Sequence, residues 1–291
     1  MFVPRRVIEE KLRQILSEDI GQSDVTSAAI VPSDLTVNGV VVAKETGIVA
    51  GIEEIMTLAA MLELKIKAEV AEGEEIKKGQ IIMKISGNAQ NILSVERTML
   101  NLLSRMSGIA TATKRLAEKL KKVNSKAKIA ATRKTAPGLL YFDKKAVLAG
   151  GGDPHRLHLD DMILVKDNHT AIVGGVEEAV KRAKQNCSFS KKVEVEVANV
   201  ADALKAVEAG ADIVMLDNFS PKQVTETVKE FKKAGFFGKA TLEVSGGITE
   251  QNIMEYALTH VDFMSIGMLT HSVKALDMSL EIESFEKKRS V

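Results

Sequence analysis

Residues 150–169, GGGDPHRLHLDDMILVKDNH, hold three of the chain's five histidines, an arginine, a lysine, four aspartates and a glycine triplet around the apolar run MILV. Arginine presents a planar fork of donors that matches a carboxylate, and an adjacent histidine or lysine can aim further charge at the same anion. His155 and Arg156 lie before MILV, Lys166 directly follows it, and Arg133-Lys134 follows a second apolar run, KIAA. These five cations suit a small polycarboxylate. Glu196 and Asp217, near the ends of VEVEV and IVMLD, are hard oxygen ligands of the kind that hold Mg²⁺ jointly with substrate phosphates. Ser245-Gly246-Gly247 and Gly267 offer backbone N–H groups with little side chain in the way, which suits a phosphate.

Six short apolar runs must position these residues: KIAAT, MILVK, KVEVEV, DIVMLD, ATLEVS and DFMSIG. Helical stretches at 139–148, 174–185, 200–209, 221–234 and 251–258 separate them. Alternating β and α units with near-continuously apolar strands predict a parallel sheet, here an incomplete β/α barrel of about six strands over residues 119–274. In such a barrel the site forms where the strands end, and each of the six runs closes in charged or glycine-rich residues. The early runs bring cations, the later ones carboxylates and then glycines.

The first 118 residues read differently. An amphipathic helix runs from Pro4 to Gly21, two strands flank a Lys-Glu-Thr-Gly turn in LTVNGVVVAKETGIVA, and a helix follows in IEEIMTLAAMLEL. Residues 67–87 have the pattern of a β-hairpin like those of biotinyl and lipoyl carrier domains, but no modifiable lysine flanked by Met or Asp sits at a tight turn. A long helix from Asn91 to Val123 has apolar residues on more than one face of its first half and is expected to be buried on several sides. The segment 275–291 is expected to pack back on this domain.

Composition narrows the function classes. Forty basic against thirty-nine acidic residues give no overall attraction to nucleic acid or an anionic membrane, so any anion site is local. The single Cys187 fits a reducing compartment and is expected to be a small buried hydrophobe. No apolar run approaches membrane-spanning length, and the charged N-terminus does not read as a signal peptide. A cytoplasmic protein is expected.

In combination and in order, EDIGQSDVTS, SVERTMLNLLSRMSGIAT, ATRKTAPGL, GGGDPHR, VKDNH, VEVEV, MLDN, EVSGGIT and IGMLTHSVKALDMSL resemble the type II phosphoribosyltransferases, specifically the quinolinate phosphoribosyltransferase family. The resemblance implies an N-terminal α/β sandwich beside an incomplete barrel. It also implies conversion of quinolinate and phosphoribosyl pyrophosphate to nicotinate mononucleotide, CO₂ and pyrophosphate with Mg²⁺. It assigns the quinolinate carboxylates to Arg133, His155, Arg156 and Lys166, with Lys134 between them and the phosphoribosyl donor. Metal and ribose contacts fall to Glu196 and Asp217, with Lys134, Lys166, Glu196 and Asp217 as the catalytic set. The 5′-phosphate falls to Ser245, Gly246, Gly247, Gly267 and His271.

The same resemblance makes the protein a homodimer, or a higher oligomer, in which Arg97 serves the neighbouring subunit. On sequence alone Arg97 reads equally as an exposed helical arginine paired with Glu96. Asp153 departs from the family's loop, where Asn or Thr more often precedes His-Arg. His158 reads as a surface residue and His169 as either a loop prop or a ligand contact. A zinc site of His155, His158 and His169 with Asp160 or Asp161 is a weaker alternative, because the MILV strand would have to fold back. The rival functions are a nicotinate-specific phosphoribosyltransferase, a related protein of molybdate-transport operons, and a non-catalytic carrier.

Overall fold

The computed structural model describes residues 3–123 and 126–286. In chain order the elements begin with α1 (Arg5–Ile20), α2 (Val25–Ile30), β1 (Thr36–Ala43), β2 (Gly47–Ile48), α3 (Ile52–Met61), β3 (Lys65–Ala68), β4 (Glu75–Ile76), β5 (Ile81–Asn88) and α4 (Ala89–Lys122). Then come β6 (Lys128–Ala130), α5 (Leu140–Ala149), β7 (Ile163–Val165), α6 (Asp167–Val173), α7 (Val176–Asn186) and β8 (Val193–Val197). The chain continues through α8 (Val200–Glu208), β9 (Ile213–Asp217), α9 (Pro221–Lys233), β10 (Thr241–Ser245), α10 (Ile253–Ala257), β11 (Phe263–Ser265), α11 (Met268–His271) and β12 (Met278–Glu286). Two compact units result: Met1–Ala112 with Ala136–Gly150 and Val273–Val291, and Thr113–Thr135 with Gly151–Ser272.

The first unit is built on an antiparallel sheet in the order β12-β1-β5-β3. Its inner strand β1 is hydrogen-bonded on both sides, and five successive residues, Gly39 to Ala43, are buried. The Lys-Glu-Thr-Gly turn does not make a hairpin. β1 pairs with β5 and β12, whereas β2 pairs with β4, and the Ile48 N–H donates to Thr111 Oγ1 on α4 at 2.8 Å. The chain is therefore drawn off the sheet toward the helix. α1 buries Ile8, Leu12 and Leu16 at four-residue spacing and stops at Gly21. In α4 the stretch from Ile92 to Ala110 buries residues on several faces, as the sequence predicts.

α5 follows β6 in the chain but belongs to the first unit, which sequence pattern gave no reason to expect. Its attachment is ionic and partly desolvated. Arg105 of α4 makes a bidentate pair with the fully buried Asp143, both contacts at 2.8 Å. Lys145 reaches Glu53 at 2.5 Å and the buried Glu54 at 2.6 Å, and the Tyr141 hydroxyl donates to Glu54 at 2.9 Å.

The second unit carries a six-stranded parallel sheet in the order β6-β11-β10-β9-β8-β7. The first strand lies beside the last, so the sheet curls toward a barrel, but β6 and β7 do not pair with each other and the barrel is incomplete. Val193, Val195 and Val197 of β8 are buried on one face while Glu194 and Glu196 alternate onto the other. Short helices α2, α6 and α11 are additions to the sequence reading; α2 is set by Asp24, whose carboxylate caps the N–H groups of Thr26 and Ser27. Cys187 is half-buried rather than buried, because it lies just past α7 in a loop, where Phe189 is also exposed.

Gly108 of α4 shows how closely the chain after α11 approaches this helix. A Cβ there would stand 2.1 Å from the Lys274 carbonyl oxygen and 3.0 Å from Ala275 Cα. In an open helix Gly→Ala stabilises by about 1 kcal/mol. Here the sign should reverse, Gly108→Ala destabilising by about 1–3 kcal/mol as an overpacked backbone contact. Denaturant unfolding checks this: a variant as stable as the wild type, or more so, contradicts the contact.

Candidate functional site

The carboxyl ends of the six strands enclose a cavity of about 380 Å³, lined by Arg133, Lys134, His155, Arg156, Lys166, Glu196, Asp217 and Ser245 among others. Eight residues singled out from sequence therefore share one cavity. β6 and β11 stop short of their charged ends: β6 finishes at Ala130 and β11 at Ser265, so Arg133, Lys134 and Gly267 lie in the turns that follow. Lys134 is fixed there by its own backbone, whose carbonyl accepts the Thr270 hydroxyl at 2.8 Å.

The loop between α5 and β7 brings in His155 and Arg156. Asp153 joins the open edge of β6, its N–H donating to Ile129 O at 2.8 Å and its carbonyl accepting from Ala131 at 2.9 Å. Its side chain then accepts the His155 N–H at 2.7 Å and holds that residue at φ 52, a left-handed conformation uncommon outside glycine. Asp153 is thus engaged with its own loop. Arg156 is buried and donates to the Met162 carbonyl at 3.3 Å, immediately before β7. Burial first, and the charge of Arg133 second, lower its pKa from the usual arginine value, which marks a cationic site that favours an arriving anion.

Lys166 leaves β7 beside Glu196 of β8, their charged atoms 3.1 Å apart. His169 turns back to accept the Lys166 N–H at 2.9 Å, so its ring props the loop. His158 is exposed and its N–H is held by Asp161 at 2.9 Å. Among the described residues the histidine-containing cluster with metal-ligand spacing is His155 with Glu194 and Glu243, not the three loop histidines.

Asp217 accepts from the Asn218 side chain at 2.8 Å. Asn218 in turn occupies the space beside Gly246: a Cβ on Gly246 would meet its Oδ1 at 2.1 Å, at a φ of +93. The glycine pair makes a tight loop and not a helix start, since α10 begins only at Ile253. Gly246, Gly247, Gly267 and His271 lie outside the cavity lining proper, yet a Cβ on Gly267 would stand 3.2 Å from both Lys134 Cδ and the His271 ring. Gly267 and His271 thus lie beside Lys134, while Gly246 lies against Asn218 at the end of β9. Arg97 is in the other unit, exposed on α4, and its side chain makes no hydrogen bond or ion pair among the described residues, Glu96 included.

Strand-end reading overlooked two buried acids. Glu194 and Glu243 are 0% and 1% exposed and reach the His155 Nε2 at 3.1 and 3.5 Å. Two-residue alternation would have found them, because Glu194 shares a strand face with Glu196, and Glu243 with Ser245. Glu243 also accepts the Ser265 hydroxyl at 2.5 Å.

The profile of the quinolinate phosphoribosyl transferase N-terminal domain matches residues 24–107, and that of the C-terminal domain residues 109–281. A relative in Methanocaldococcus jannaschii, named a probable nicotinate-nucleotide pyrophosphorylase [carboxylating], is 48% identical over 94% of this chain and 97% of its own. One of the same name in Bacillus subtilis is 39% identical over 94% of this chain and 93% of its own. The solved structure of the nicotinate-nucleotide pyrophosphorylase from Francisella tularensis superposes with a TM-score of 0.89 at 36% identity, covering 97% of this chain and 98% of that one.

Proposed function

This chain belongs to the quinolinate phosphoribosyltransferase family, and from that premise we propose that its cavity transfers phosphoribose from phosphoribosyl pyrophosphate to quinolinate with loss of CO₂, giving nicotinate mononucleotide and pyrophosphate. The observation that carries this reading is the cavity itself: Arg133, Arg156, His155 and Lys166 converge in one place, enough cationic donors for two carboxylates. A monocarboxylate such as nicotinate would leave part of that set without an anion. The hairpin β3–β5 is a structural part of the first sheet, and nothing about it calls for a carrier role.

In this reading Arg133, His155, Arg156 and Lys166 hold the quinolinate carboxylates, and Lys134 stands between them and the departing pyrophosphate. Ser245 with the loops of Gly246-Gly247 and Gly267-His271 takes the 5′-phosphate through backbone N–H groups. Glu196 and Asp217 suit Mg²⁺: they end neighbouring strands, both line the cavity, and Mg²⁺ is characteristically held by one or two carboxylates with substrate phosphates completing the shell. When bound, the ion would neutralise pyrophosphate charge.

The rest is done by the chain's own groups. As the bond from ribose C1 to pyrophosphate breaks, the cations of the cavity stabilise the charge that leaves, and the pyridine nitrogen takes its place at C1. The ring nitrogen is then cationic, so the electron pair left when the 2-carboxylate departs as CO₂ is stabilised next to it until a proton replaces the carboxylate. The 3-carboxylate must stay, so it takes the stronger bidentate contact. A half-buried lone thiol and the absence, among the described residues, of a helix long and apolar enough to cross a membrane are compatible with a cytoplasmic site of action.

Arg156→Ala and Lys166→Ala should each weaken quinolinate binding strongly, on the order of 2–5 kcal/mol where a desolvated charge partner is lost, while phosphoribosyl pyrophosphate binding changes much less. Calorimetry with each ligand checks this, and equal losses for both ligands contradict the carboxylate assignment.

The free, exposed Arg97 supports a homodimer in which it completes the partner's carboxylate pocket. Arg97→Ala and Lys166→Ala, each inactive alone, should then complement. Random exchange of equal amounts gives roughly half mixed dimers with one intact site each, returning about a quarter of wild-type activity. No recovery after verified exchange means that Arg97 does not act across an interface.

A further inference from the structure

We infer that Glu194 and Glu243 are positioning residues for the quinolinate site: together they grip one edge of the His155 imidazole so that its other nitrogen remains a hydrogen-bond donor to a substrate carboxylate. The inference rests on the assignment of His155 to quinolinate and adds two acids that touch no substrate on that reading.

β8 and β10 are not neighbours, since β9 lies between them, yet the curl of the sheet brings a carboxylate from each to the same ring nitrogen. Among the described residues Glu194 makes one side-chain hydrogen bond, to His155, and its charge also faces the buried Arg156. Its Oε2 meets His155, while its Oε1 is buried without a hydrogen-bond partner. A carboxylate oxygen left unsatisfied in the interior is expensive, so this one is placed at a cost to stability and for the sake of the ring. Glu243 divides its oxygens between Ser265 and His155. Asp153 fixes the backbone that carries the ring. With backbone and Nε2 both held, Nδ1 is the nitrogen left for a ligand.

That nitrogen is useful only if protonated. A neutral ring donating from Nε2 to glutamate would offer an Nδ1 lone pair to an arriving carboxylate and repel it. Burial disfavours the charged ring, but the hydrogen bonds it donates to Glu194 and Glu243 outweigh this and raise the His155 pKa to about 9. Arg133, Arg156 and Lys166 in the same cavity oppose the ring's charge, while Glu196 and Asp217 favour it. Because the pKa is raised, the donor is present throughout the neutral range and is lost only as pH climbs toward that value. Without one of the two acids the loss should begin in the neutral range.

Glu243→Gln removes one carboxylate charge at nearly constant volume. The wild-type KM for quinolinate should be flat between pH 6.5 and 8.5, and in Glu243→Gln it should rise with pH, by about tenfold per unit once the ring titrates. The KM for phosphoribosyl pyrophosphate should keep its wild-type pH profile. Adding Glu243→Gln to His155→Asn, whose amide donates without titrating, should produce no such rise. A flat quinolinate KM in Glu243→Gln, or a rise that persists in the double variant, overturns the inference. NMR of the His155 ring in the intact wild-type protein gives a reading independent of turnover and of how the variants fold: both nitrogens protonated at pH 7.5 is expected, and a neutral ring overturns the inference. Absence of quinolinate turnover by the wild type counts against the proposed reaction instead, and leaves the ring's protonation state measurable.

Discussion

The barrel of the second unit is left open between β6 and β7, and what spans the opening decides the rest. Asp153 hydrogen-bonds to the edge of β6 through Ile129 and Ala131, and Arg156 reaches the carbonyl of Met162 at the threshold of β7. The loop is thus stitched to one edge of the sheet and tied to the start of the other. His155 and Arg156 enter the cavity through that gap instead of arriving on a strand. A closed barrel would have no edge to receive them. The three glycines at 150–152 precede Asp153 and give the chain the freedom to turn from α5 onto the β6 edge, with Gly151 at a φ of 83.

Charge is segregated around the same cavity. On the β6–β7 side stand Arg133, Lys134, Arg156 and Lys166, while Glu196 and Asp217 stand on β8 and β9. The Lys166–Glu196 contact lies where the two sets meet. Low local dielectric makes such fields strong and makes each unpaired charge costly, which suits a site that takes a polyanion. Glu243 in the cavity lining and the buried Glu194 add two further acids, both against His155.

Much of this was legible in sequence. Parallel βα units, the incomplete barrel and the convergence of the strand-end cations and carboxylates follow from apolar runs and what terminates them. What escaped did so for particular reasons. Reading only the last residue of each strand missed Glu194 and Glu243, two positions upstream on the same face. The β1–β2 turn reads as a hairpin locally, and only the competing partners β5, β12 and Thr111 undo it. α5 mixes charged and apolar residues among its buried ones, so its membership of the first unit depends on Asp143 and Lys145 finding Arg105, Glu53 and Glu54 far away in sequence. Asp153 reads in sequence only as a departure from the family's loop pattern, whereas its side chain holds the backbone of its own loop.

The central claim is that one cavity both joins quinolinate to phosphoribose and releases its 2-carboxylate because the joined ring is cationic. Quinolinate labelled in the 2-carboxyl carbon, incubated with the protein and Mg²⁺, tests it directly by the labelled CO₂ set free. The account predicts release in equal amount to nicotinate mononucleotide, and only when phosphoribosyl pyrophosphate is present. Release without the phosphoribosyl donor, or nucleotide that keeps the label, would contradict it.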